Sequence, residues 1–116
     1  MNEFIKLLQD TKNNTEYARS MSKYYPNLTN FITIEVQPGA KYDRIVEREG
    51  EKNGGHVVYF VEKSTGNIYG AESWKKPNFK RQYGDLSTIN EWVWTPYYAI
   101  SKTGIDSLVP KSQRKK

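Results

Sequence analysis

Between Trp74 and Tyr83 the chain reads Trp74-Lys75-Lys76-Pro77-Asn78-Phe79-Lys80-Arg81-Gln82-Tyr83, four cations among three aromatic rings in ten residues. Lysine and arginine neutralise phosphates and release their counterions, and aromatic faces stack unpaired bases at ~1–3 kcal/mol each. Trp74, Phe79 and Tyr83 are therefore candidate stacking residues, and Lys75, Lys76, Lys80 and Arg81 candidate phosphate contacts. The same segment also suits a core anchored by its three rings, with lysine stems lying around them. A strand presenting Tyr42, Arg44 and Arg48 on one face would add a platform of the same type, with Arg44 and Arg48 as secondary contacts. Proteins that read duplex grooves commonly present a basic helix. None of suitable length is visible, so single-stranded DNA or RNA is the preferred partner.

Catalytic constellations are sparse. Cysteine is absent and histidine occurs once, at His56. That excludes a disulfide framework, a thiol nucleophile and a Cys-ligated metal, and leaves one imidazole for any nucleophile–base pair. His56 follows Gly54-Gly55 at a loop–strand junction, which favours a structural or solvent-facing role. Glu47, Glu49 and Glu51 alternate along one segment, where crowded carboxylates hold a hard cation or shift one another's pKa. Arg44, Arg48 and Lys52 stand close by, and alternating charge also protects an exposed sheet edge; the edge reading is preferred. No Gly-rich phosphate loop occurs. The expectation is a non-enzymatic protein without metal or cofactor.

The 116 residues give one domain, and the formal charge of +5 is unevenly placed. Residues 1–72 carry 9 basic and 10 acidic side chains, whereas residues 73–116 carry 9 and 3. The excess lies in the Lys75–Arg81 cluster and in a tail of Lys111, Arg114, Lys115 and Lys116. Such asymmetry argues for a polyanionic partner, to which the tail would add affinity without register, or for a solvated tail that aids solubility. The longest apolar run, Val57–Val61, falls far short of a membrane span. No leader pattern opens the chain, so no membrane association is expected. Apolar content is 36%, yet 3 Trp, 9 Tyr and 4 Phe supply enough bulk for a small core.

The elements that must position these residues follow from periodicity. Phe4, Leu7 and Leu8 make a helical stripe with Asn2 as the expected N-cap. A second helix is expected after Asn14 or Thr15, with Tyr17, Met21, Tyr24 and Tyr25 on one side and Pro26 ending it. Ile32, Ile34 and Val36 alternate as a half-buried strand, and Gln37-Pro38-Gly39-Ala40 fits a type II turn. On the next strand Tyr42, Arg44, Val46 and Arg48 face one way, and Asp43, Ile45, Glu47 and Glu49 the other. Residues 50–55 read as a flexible loop. Val57–Val61 is apolar on both faces, hence central, and Ser64-Thr65-Gly66-Asn67 returns the chain into a strand over Ile68–Trp74, which Pro77 stops. Beyond it, Asp85–Trp94 fits a short helix or a strand around Trp92–Trp94; a strand at Tyr97–Ile100 and a helical turn at Ile105–Val109 are expected. The fold class is α+β, with N-terminal amphipathic helices packed on a three- to five-stranded antiparallel meander sheet. Residues 1–110 form the domain and 111–116 the tail.

Val57–Gly84, with its Phe60-Val61-Glu62-Lys63, Thr65-Gly66-Asn67, Ile68-Tyr69 and Ala71-Glu72-Ser73-Trp74-Lys75-Lys76-Pro77, resembles small uncharacterised viral proteins, chiefly from phages. Their pattern is Phe-Val-Asp-Lys, a Thr-Gly-Asp turn, Ile-Tyr-Lys, Ala-Ser-Trp-Lys-x-Pro and a basic-aromatic stretch, often preceded by the Lys-Tyr-x-Arg-Ile-Val matched at Lys41–Val46. This chain departs from it at Gly70 and at Asn78-Phe79. The resemblance implies a viral origin, in the infected host's cytoplasm or the virion, and carries no activity. The leading expectation is a viral single-strand-binding protein. The alternatives are a virion structural or packaging protein that self-assembles or contacts other proteins through Trp92–Tyr98, and a small inhibitor of a host factor.

Overall fold

A computed structural model describes residues 1–50, 55–95 and 99–102. Helices α1 (Asn2–Asn13) and α2 (Glu16–Ser22) precede strands β1 (Ile32–Gln37), β2 (Tyr42–Glu49), β3 (His56–Glu62), β4 (Asn67–Ala71) and β5 (Pro77–Asp85). A 3-10 turn (Ile89–Glu91) then leads into a separate two-stranded ribbon, β6 (Trp92–Trp94) and β7 (Ala99–Ser101). The five strands form one antiparallel sheet in the order β1-β2-β3-β4-β5, a meander with helices on one face. The α+β expectation holds, and β3 occupies the centre as its doubly apolar sequence requires. Expected features at residues 51–54, 96–98 and 103–116, the basic tail among them, lie outside the described residues.

Helix α1 buries Phe4, Leu8 and Lys12 on one stripe. Its cap position is held by Met1 rather than Asn2, which lies inside the helix. Thr15 caps α2, its Oγ1 accepting from the Ala18 N–H at 3.2 Å. Only Ala18 is buried along α2, which ends before Tyr24. Tyr17 and Tyr25 instead pack their rings on Phe31.

The lower face of the sheet meets α1 and the ribbon around an aromatic cluster. Phe4 and Trp94 stand 4.9 Å apart between ring centroids, Tyr59 and Trp94 5.4 Å, and Tyr59 and Tyr83 5.6 Å. Ile32, Ile34, Ile45, Val61 and Ile68 surround them. Burial pushes the Tyr59 phenol far up, and its hydroxyl has no hydrogen-bond partner among the described residues. The tilted and edge-on ring contacts of this cluster are favoured over face-to-face stacking.

Two polar devices lock α1 to the sheet. Lys12 Nζ meets Glu47 Oε1 at 2.6 Å, with residue exposures of only 1% and 6%. The exposed His56 adds its Nε2 at 3.2 Å from the other Glu47 oxygen. At the next residue, the Asn13 amide accepts from the Ile32 N–H and donates to the Ile32 carbonyl, both at 2.8 Å, as a neighbouring strand would. Gln9 Oε1 accepts from the Ile34 N–H at 3.3 Å. The expectation of Glu47 on a protective sheet edge is overturned: β2 is flanked by β1 and β3, so Glu47 points into the α1 interface. Glu49 accepts from the Tyr17 hydroxyl at 3.0 Å.

Two turns depart from expectation. Gly39 lacks a positive φ, so the β1–β2 connection is not type II; a Cβ there would lie 2.5 Å from the Tyr42 carbonyl oxygen, and close approach is why glycine stands there. Strand β4 stops at Ala71 because residues 72–76 form a tight turn, the Glu72 N–H donating to the Lys76 carbonyl at 2.9 Å. Pro77 therefore begins a strand instead of ending one, a place where its missing N–H costs little on an edge.

Removing one member of a buried ion pair leaves an uncompensated charge, at ~3–5 kcal/mol. Lys12→Met is expected to lower the unfolding free energy by about that amount, read from urea midpoints, and Lys12→Met/Glu47→Leu to recover most of the loss. Equal destabilisation in both variants would mean that the pair does not fix α1.

Candidate functional site

The strand alternation leaves Tyr42, Arg44, Val46, Arg48, Phe60 and Tyr69 on the sheet face away from the helices. Phe60 pairs directly with Arg44 on one side and Tyr69 on the other. Phe79 reaches the same face by an irregularity of β5. Tyr69 pairs with Gln82 but the next residue, Gly70, pairs with Asn78, so residues 79–81 are extra on β5. Bulges of this kind re-aim side chains at sheet edges. Here the bulge lays Phe79 against Tyr69, 5.1 Å between centroids, and against Tyr42 at 6.0 Å. Tyr42 also contacts Phe60 and Tyr69 at 6.4 Å each. Phe60 and Val46 are buried within this face, while Phe79 keeps 55% of its surface exposed.

Trp74 extends the aromatic layer from the β4–β5 turn. Arg44 Nε donates to the Trp74 carbonyl at 2.7 Å, and its guanidinium carbon lies 5.8 Å from the indole centroid. A cation beside an indole face is attracted by the ring quadrupole. Trp74 is thus held while 43% exposed. Exposed Lys75, Lys76 and Lys80 flank the two rings, and Lys41 Nζ stands 5.7 Å from the Tyr42 centroid. Burial, then the Glu62 carboxylate, holds the Tyr42 phenol above the usual tyrosine range, so that ring stays neutral.

Of the nine expected residues, the structure sets Arg44 against Trp74 and gathers Lys76, Phe79 and Lys80 around one cleft, with Lys75 exposed on the turn between them. Tyr83 belongs to the opposite face, 7% exposed between Tyr59 and Trp92, and its ring is core. Arg81 turns to that side too, crossing Gly70 and donating from Nε to the Tyr83 hydroxyl at 2.9 Å. Arg48 shares the open face but is ion-paired with Glu35, whose carboxyl is held low first by Arg48 and then by Gln37. The reading of residues missed Tyr69 and Phe60 as members. Their signal was the Ser64–Asn67 turn, whose geometry sets Phe60 opposite Tyr69. Of the expected protein-contact segment, Trp94 is buried and Trp92 half-buried in the core cluster, and residues 96–98 lie outside the described residues.

A family model described as a family of unknown function, DUF7717, matches residues 2–99. The chain belongs to that family. The DUF7717 match takes in both helices and the whole five-stranded sheet, hence every residue of the open aromatic face. No curated protein and no solved structure matches the chain. Among the described residues no helix is long and apolar enough to cross a membrane, and no group of three or more acidic or histidine side chains is placed to hold a metal ion.

If Arg44 orders Trp74, Arg44→Ala should narrow and shift the Trp74 indole N–H resonance toward its random-coil position while the Trp92 and Trp94 resonances stay put. An unmoved Trp74 signal would show that the turn orders itself.

Proposed function

We propose that this protein binds single-stranded nucleic acid on the open face of its sheet, without catalysing a reaction. One observation carries the reading: rings of Tyr42, Tyr69, Phe79 and Trp74 lie exposed or half-exposed on one surface, with Lys41, Lys75, Lys76 and Lys80 beside them in the chain. An open sheet face bearing rings suits splayed bases, and lysines beside it suit the backbone that links them. Paired bases offer no such faces, which favours single strands over duplex. The phage-like wording of Val57–Gly84 supports a viral setting, in the host cytoplasm or the virion, where single strands arise in replication and packaging. The competing reading of Trp92–Tyr98 as a protein-binding anchor loses support from the burial of Trp94.

Fluorescence anisotropy with labelled single-stranded and duplex oligonucleotides, at two salt concentrations, tests the reading. Single strands should bind more tightly and lose affinity steeply with salt. Trp74→Ala and Phe79→Ala should each cost ~1–3 kcal/mol. Lys80→Ala should lower the salt slope by about one while weakening all sequences alike, and Lys115→Ala should cost less than Trp74→Ala. Absence of binding at low salt would overturn the reading.

A further inference from the structure

Beside Phe79, on the outer edge of β5, lies a cleft of about 420 Å³ lined by Glu72, Lys76, Pro77, Asn78, Phe79 and Lys80. Its apolar walls are Phe79 and the buried Pro77, its cations Lys76 and Lys80. Asn78 Oδ1 already accepts from the Lys80 N–H at 3.1 Å, which leaves the amide N–H groups to donate. Glu72 is the odd member. A carboxylate repels phosphates, and this one stands in the most basic stretch of the described chain, 3.5 Å from Lys76 Nζ. On a surface meant only for a polyanion it would weaken binding.

A carboxylate is an acceptor only, with two oxygens side by side. Among the bases, guanine alone presents two adjacent donors on its pairing edge, N1–H and the 2-amino group, with the O6 acceptor next to them. Cytosine and adenine offer one amino group there, thymine and uracil one imino N–H. The Lys76 ammonium, which pairs with Glu72 and keeps further N–H groups, and the Asn78 amide line the same cleft as donors for O6. We propose that this cleft takes one unpaired base and that Glu72 selects guanine, an inference that rests on the single-strand reading above. In a duplex that edge is already paired, so the same contact would reinforce the choice of single strands.

The test is anisotropy with labelled oligothymidine, the same oligomer carrying one central guanine, and a third with inosine, which lacks the 2-amino group. The wild-type protein should bind the guanine probe at least ~5-fold more tightly than oligothymidine, the low end of what a good bidentate base contact provides. Inosine should lose most of that preference. Glu72→Gln, a change at an exposed side chain that leaves the fold alone, should abolish the guanine preference and keep or raise the affinity for oligothymidine. Equal wild-type affinities for guanine and thymine probes, or a preference that survives Glu72→Gln, would overturn the inference and leave single-strand binding standing. Failure of all three probes to bind at low salt would remove both.

Discussion

Lys12 and Glu47 meet at 2.6 Å almost without solvent, and much of the rest follows from where that contact puts α1. Unpaired, either charge would be too costly to bury. Together they tie the last turn of the helix to the second strand, and the Asn13 amide then takes the place of a strand beside Ile32. Once α1 sits there, Phe4 and Leu8 cover one sheet face and the alternation of β2 and β3 turns Tyr42, Arg44, Val46 and Phe60 to the other.

The consequence is two aromatic populations in a chain poor in aliphatic bulk. Phe4, Tyr59, Tyr83 and Trp94 do the work of a core, in edge-on contacts that fill space a few leucines would otherwise take. Tyr42, Tyr69 and Phe79 gather beside Phe60 on the other face, Trp74 lies against Arg44, and all four remain partly in water. Rings left exposed together make a surface suited to contact. The lysines beside them narrow the chemistry of the partner proposed above.

Strict alternation made β1 and β2 legible in the sequence, including which side chains share a face, because period two leaves little choice of register. Strand β3 was legible as a central strand from its unbroken apolar run, which does not say which of its side chains share a face. Legibility failed where a local rule was met in an unusual context. Pro77 reads as a strand breaker, yet it opens an edge strand. The extra residues 79–81 destroy alternation across the very segment that carries the candidate site, so Phe79 and Tyr83 looked equivalent although they lie on opposite faces. Lys12 stands in the helical stripe of Phe4 and Leu8, but nothing marks a lysine as buried until its partner on β2 is known. Tyr69 was hidden for a related reason: its role depends on pairing with Phe60 and on the bulge that brings Phe79 over it.

The amide bracket of Gln9 and Asn13 also bears on how the sheet is kept from pairing with strands of other chains. A five-stranded sheet has two borders at which a foreign strand can add, and growth at both is what lets sheets propagate into fibrils. On the β1 side both backbone groups of Ile32 and the N–H of Ile34 are already taken by side chains of α1. On the β5 side the ladder is broken where residues 79–81 bow outward with Lys80 and Arg81 among them. Neither border offers a long, straight, uncharged template, so the open aromatic face can be displayed without inviting the sheet to polymerise.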